Sequence, residues 1–256
     1  MADSAPTFRA LITSFTDFLT VATHTILYER NIYPQTSFLS ARKYNFPVRQ
    51  NRHPKVCEWI NDAVAAVETE LLKGTVERVA VVVYTMNNKP TERFMFDVSR
   101  FPVVSASELD TPLERTIPNG EKVPVLPQVD MEEQFRATMS KLAGCSSTLK
   151  LLPKGSTFTL AIELKGSGTA PIGHPQPWMP VQAQAQNGST HDTEIAIKPV
   201  RAVAAGDMAF ETWIEQSRGV QSGETLLRKW MGRQYYAAYD AERPQNRVAS
   251  MPTSTA

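Results

Sequence analysis

Apolar residues recur through the first thirty positions at a spacing that a helix turns to one side. Phe8, Leu11, Ile12, Phe15, Phe18, Leu19, Ala22 and Ile26 fall at three- and four-residue intervals. At 3.6 residues per turn they gather into one wide stripe, so the spacing predicts a core-facing helix over 8–30. Pro34 lies just past its end, where a proline no longer disrupts the ladder. Residues 36–50 carry basic and aromatic side chains around Pro47, a pattern that suits a short hairpin near a sheet edge.

The pattern continues in alternating helix and strand. Val56, Trp59, Ile60, Ala63, Val67 and Leu71 lie on one face of a second helix that begins near Pro54 and stops at Gly74. Val76 to Thr85 is apolar on both faces and reads as a central strand. After the turn Asn87-Asn88-Lys89-Pro90, Phe94, Phe96 and Val98 alternate with polar residues as in a half-buried strand. Residues 102–128 hold five prolines and read as a mobile surface loop without a regular element. A third helix follows, with Asp130 as its N-cap and Met131, Phe135, Met139 and Leu142 inward. Thr157 to Lys165 is a third strand, and residues 194–198 and 208–214 are two more. Between them, 166–187 is rich in Gly, Pro and Gln around one large anchor, Trp178. The tail, 219–256, offers a short helix around Leu226, Leu227 and Trp230 and ends in a polar stretch too poor in apolar residues to fold alone.

Composition excludes several functions. Hydrophobic residues make up 42% and charged residues 21%, with a formal net charge of +1, so no global field draws the chain onto DNA. Cys57 and Cys145 read as reduced thiols. The first residues lack a signal pattern, and no apolar run is expected to span a membrane, which places the chain inside the cell. Gly166-Ser167-Gly168 follows a strand, but Pro171 stands where a phosphate-binding helix should begin. The four histidines are scattered without ligand spacing, so no metal is expected, and no nucleophile elbow appears.

The succession of helix, basic–aromatic hairpin Arg42-Lys43-Tyr44-Asn45-Phe46-Pro47, His53-Pro54, second helix and apolar strand resembles the N-terminal half of a HORMA domain. Gly155 to Thr159, Pro177-Trp178 and His191-Asp192 extend the resemblance over 8–215. Within the family the chain is most similar to the branch of accessory, non-catalytic subunits of translesion DNA polymerase zeta. The resemblance implies an α+β fold, with three helices packed on a central antiparallel sheet. It also implies a core over 8–165 and a mobile C-terminal safety-belt segment over 166–215. The insertion at 102–128 and the largely disordered extension at 219–256 have no counterpart in the family pattern.

The resemblance further implies a non-catalytic adaptor without cofactor or metal, acting in the nucleus. It would capture a peptide of the polymerase zeta catalytic subunit by strand addition, close the belt over it, and bridge it to a scaffold polymerase, a deoxycytidyl transferase. By position, Trp59, Trp178 and Ile195 match residues that contact the peptide, although Trp59 equally suits the core beside Val56 and Ile60. Glu211 and Trp213 match the scaffold-polymerase contact. Arg136 matches an arginine at the surface where HORMA domains form homo- or heterodimers. An ATP-driven remodeller would open the belt, and DNA would be reached only through partners. Adaptors of the spindle checkpoint or the meiotic chromosome axis share the fold and mechanism, but the hairpin favours the polymerase branch.

Overall fold

The computed structural model describes residues 5–120, 122–124, 128–166, 178–180, 195–205, 208–217 and 235–238. The stripe of the first helix becomes α1 (Phe8–Glu29). Thr7 caps it, its hydroxyl accepting the Ala10 amide at 3.1 Å, and Asn31 ends it in the left-handed region at φ 52°. A hairpin follows, β1 (Phe38–Lys43) and β2 (Phe46–Asn51). Tyr44 and Asn45 turn it, both with positive φ, as a two-residue type I′ turn requires. Then come α2 (Pro54–Leu72), which ends before Gly74 at φ +71°, and β3 (Val76–Tyr84) and β4 (Pro90–Asp97), an antiparallel pair.

The proline-rich stretch is a correction to the sequence reading. It contains a second small hairpin, β5 (Glu114–Thr116) and β6 (Lys122–Pro124). It is also tied to the start of α1: Arg9 donates its amide to the Leu109 carbonyl and its guanidinium to Asp110, and Leu113 donates to the Pro6 carbonyl. Its prolines do not break this hairpin, because Pro118 sits in the turn and Pro124 at a strand end. A second correction concerns α3 (Gln128–Leu142): the helix starts three residues earlier than expected, so Asp130 lies in its first turn, where its charge suits the helix dipole. β7 (Thr157–Leu164) completes the part of the chain expected to be core. The C-terminal third supplies β8 (Trp178–Pro180), β9 (Ile195–Ala205), β10 (Met208–Ser217) and β11 (Tyr235–Ala238).

Seven strands form one antiparallel sheet in the order β8-β11-β7-β3-β4-β10-β9. Alternation along β3 and β4 sends Val79, Val81, Val83, Phe94 and Phe96 into the main core with the helices. There Phe18 stacks on Phe135 at 4.6 Å and meets Phe96 and Phe210, so one aromatic cluster joins α1, α3, β4 and β10. By length and hydropathy alone α1 could cross a membrane, contrary to the sequence expectation; its apolar residues are spent on this core instead.

One buried polar network ties the two ends of the chain together. The Arg30 guanidinium donates two hydrogen bonds to Glu92, at 2.8 and 2.7 Å, and a third to the Lys150 carbonyl. Gln216 of β10 donates to the same carboxylate at 2.7 Å and accepts the Lys150 amide at 3.3 Å. The Arg30 and Glu92 side chains are 4% and 1% exposed, so each charge depends on the other for its solvation. Arg30→Met, which strands the Glu92 carboxylate, should lower the unfolding free energy by about 3–5 kcal/mol in urea titration, and the Arg30→Met/Glu92→Leu double variant should recover much of that loss.

His24 is buried on α1, and its Nδ1 accepts the Asn51 amide at 3.3 Å. Burial lowers its pKa from 6.5 to about 4, so the folded chain refuses a proton that the unfolded chain takes. The neutral ring's contribution is therefore complete above pH 6.5 and is lost as the pH falls towards 4. At about 1.4 kcal/mol for each tenfold difference in proton affinity, the loss is roughly 3 kcal/mol. His24→Asn should flatten the stability–pH curve across that window, as measured by urea midpoints at stepped pH.

Candidate functional site

A sheet offers its backbone to other chains only along its edges, so the two flanks of the central β7-β3-β4 unit decide what this fold can bind. Both flanks are extended by strands from the C-terminal third. On the β4 side, β10 pairs along Glu211–Gln216 and carries β9 beyond it. On the β7 side, β11 sets Tyr235, Tyr236 and Ala237 opposite Glu163, Ile162 and Ala161, and β8 pairs with the far side of β11.

The central strands are fastened on the face away from the helices. Arg78 of β3 donates to Asp97 on β4 and to Glu163 on β7, both at 2.8 Å. Burial pushes the Asp97 carboxyl up, but hydrogen bonds from Ser99 and Arg78 outweigh it and hold the group below the usual carboxylate range. Arg93 and Glu215 form a second buried pair that joins β4 to β10. Around them lies a small apolar cluster of Ala80, Val82, Met95 and Ala161, with Tyr84 and Trp213 packed against it. β7, β3, β4 and β10 are thus cross-linked by ion pairs on this face and packed against the helices on the other.

The structure separates the residues expected to contact the partner peptide. Trp59 lies on α2, is only 8% exposed, and packs edge-on against Phe158 of β7 at 5.0 Å between ring centres. It supports the β7 side from beneath. Trp178 opens β8, its backbone opposite Ala238 on the same flank; its side chain is outside the described residues. Ile195 starts β9 opposite Ser217, on the far flank, and joins Glu211 and Trp213 there instead. Glu211 is exposed, and Trp213 donates its indole N–H to Glu215 at 3.0 Å with Arg78 5.9 Å from its ring. The facing of Trp213, ambiguous in sequence, is that of Glu211 and Glu215, opposite Phe210, Thr212 and Ile214. Arg136 stands half-exposed on α3, paired with Glu133 at 3.1 Å. His174, His191, Pro177 and Asp192 lie outside the described residues.

A cavity of about 560 Å³ opens where the β3–β4 turn, residues 150–154 and the end of β10 meet. Met86, Lys89, Lys150 and Leu152 line it. The carboxylate on its wall, Glu92, is already engaged by Arg30 and Gln216. Among the described residues, no three His, Cys, Asp or Glu side chains gather to hold a metal. The described residues present a central β7-β3-β4 unit with both flanks extended by strands from the C-terminal third.

Residues 12–207 match the HORMA domain family. This chain belongs to that family. The three helices on an antiparallel sheet are the HORMA fold. The chain is 34% identical over 215 residues to the DNA polymerase zeta processivity subunit of Schizosaccharomyces pombe, which covers 84% of this chain and 96% of the relative. It is 29% identical over 205 residues to the Homo sapiens mitotic spindle assembly checkpoint protein MAD2B, covering 78% of this chain and 88% of that one. Solved structures agree on the fold. A chain of the mitotic checkpoint complex superposes with a TM-score of 0.57 at 13% identity, over 80% of this chain and 98% of that one. C. elegans HTP-1 bound to a HIM-3 closure motif superposes with 0.54 at 15%, over 84% and 94%.

Two features of the sheet escaped the sequence. β11 is four residues long, too short for a period to show, and its only signal is the strand preference of the adjacent tyrosines Tyr235 and Tyr236. The shift of register opposite Thr212 and Trp213, which leaves Val200 of β9 unmatched, gives no composition cue beyond Pro199. The burial of Trp59 yields a direct expectation. Trp59→Ala should lower the unfolding free energy by about 3–5 kcal/mol in denaturant titration, whereas Trp59→Phe, which keeps a ring against Phe158, should cost less.

Proposed function

We propose that this chain is a non-catalytic adaptor that captures an extended peptide of the polymerase zeta catalytic subunit along β7 and holds it beneath β8. The observation that carries this reading is the β7 flank itself, which takes one added strand with a further strand closed over it. Backbone pairing gives affinity with little demand on sequence, and side-chain anchors then select the partner. Closure by β8 makes release depend on the belt opening, so the bound state is long-lived.

The likeness to the yeast processivity subunit over nearly its whole length supports the polymerase partner. The relatives named for the spindle checkpoint support a second reading, in which the same flank serves a checkpoint peptide. The opposite flank, with Ile195, Glu211 and Trp213, is the proposed dock for the scaffold deoxycytidyl transferase. Arg136 is the proposed contact for a second HORMA domain. In this reading the protein acts in the nucleus on damaged DNA through its partners, and an ATP-driven remodeller recycles it.

Calorimetric titration with the HORMA-binding segment of the same organism's polymerase zeta catalytic subunit tests the proposal. Tight, slowly reversible binding is expected, and Trp178→Ala should weaken it by about 2–4 kcal/mol. No binding by the folded chain, together with binding of a checkpoint-type peptide, would transfer the reading to the other branch.

A further inference from the structure

We propose that the cavity at the β3–β4 turn is a docking site of its own, for an acidic peptide segment that carries one bulky apolar side chain. It lies where β3, β4 and β10 end, and it does not depend on what pairs along the flanks of the sheet.

The walls of the cavity are fixed before any ligand arrives. Thr85 closes the β3–β4 turn: its amide donates to the Lys89 carbonyl at 2.9 Å and its carbonyl accepts the Asn88 amide at 3.0 Å. The facing wall, residues 150–154, is pinned from inside. Lys150 gives its carbonyl to Arg30 and its amide to Gln216, and the Pro153 carbonyl accepts the Ser156 hydroxyl at 2.7 Å. The two walls meet where Met86 lies across Gly155. A Cβ on Gly155 would stand 2.6 Å from the Met86 sulfur, so the glycine is the seat of that side chain. A preformed cleft spends little binding energy on ordering itself.

The chemistry of the rim selects the ligand. At about 560 Å³ the cavity is of ligand-pocket size. Its mouth is apolar where a protein surface is commonly polar: Leu151 is 96% exposed and Met86 64%. Two large apolar side chains on one rim mark a contact surface, and a methionine adapts its shape to what it meets. Lys89, Lys150 and Lys154 stand around them, all exposed. The acidic lining residue, Glu92, adds no opposing charge, because its carboxylate is engaged by Arg30 and Gln216. The rim is thus locally positive in a chain whose formal net charge is only +1. An apolar centre inside a cationic rim is complemented by an apolar anchor with acidic neighbours. Nucleic acid fits it poorly, since bases stack on aromatic rings or arginine planes and the lining holds neither.

The test uses the full chain with isotope-labelled methionine methyl groups, the Met86 signal being assigned through Met86→Leu. The probes are short capped peptides with phenylalanine, leucine or methionine at the centre and aspartate and glutamate on both sides. At least one should shift the Met86 signal and bind with a dissociation constant of about 0.1 mM or below, more weakly as salt is added. Matched peptides with flanking lysines, or with serine at the centre, should bind at least tenfold more weakly. Lys89→Glu/Lys154→Glu should lose at least tenfold in affinity for the acidic peptides and gain affinity for the lysine-flanked ones, whereas Arg100→Glu, past the far end of β4, should leave both unchanged. No shift of the Met86 signal by any acidic peptide at millimolar concentration would overturn the proposal, as would equal binding by the charge-reversed chain. A Met86 shift caused by an oligonucleotide and not by the peptides would give the site to nucleic acid. One that grows with protein concentration alone would give it to a second copy of this chain, and either result overturns the peptide reading. The polymerase peptide used above should bind Lys89→Glu/Lys154→Glu and the unaltered chain equally, so the two sites stand or fall separately.

Discussion

The buried contact between Arg30 and Glu92 is where the architecture is decided. It lies at the end of α1 and on β4, two elements formed early in the chain, and it is completed by Gln216 at the end of β10. A buried ion pair is costly to desolvate and is tolerated only when its remaining hydrogen-bonding capacity is met. Here Gln216 and the backbone of Lys150 meet it. The β9–β10 hairpin therefore does more than lengthen the sheet. It supplies polar groups that a charge inside the N-terminal part requires, so the position of the C-terminal third and the integrity of the core are one problem.

With that flank fixed, the other is joined over a shorter length. The β4 side is joined along a ten-residue strand, with an aromatic cluster beneath it and the Arg93–Glu215 pair on the opposite face. The β7 side is joined through short strands of three and four residues. Pairing length differs between the two: β10 meets β4 over six residues and is joined by a buried ion pair, whereas β11 meets β7 over three. Trp59 and Phe158 lie under the second flank, packed edge-on against each other.

Much of this was legible in the sequence where a period runs long enough to be counted. α1, α2, β3, β4 and β7 follow from their apolar spacing to within one or two residues at either end, because each has a face that must be buried. Trp213 was ambiguous because β10 buries residues on both faces, Ile214 against the helices and Glu215 against Arg93. The hairpin at β5 and β6 was hidden by its prolines, which happen to sit in the turn and at a strand end. The parting of Ile195 from Trp178 onto opposite flanks was out of reach, since strand order is set by pairings between segments that no local pattern announces.

The place of β11 in the sheet also bears on time. A nascent chain makes β7 and β8 before residues 181–238 exist, and at about 5–20 residues per second that gap lasts roughly 3–12 s. For those seconds β7 has no strand added on its outer side and β8 has no strand to pair with, because β11 is what joins the two. The β7 flank is therefore the last part of the sheet to be completed as the chain is made.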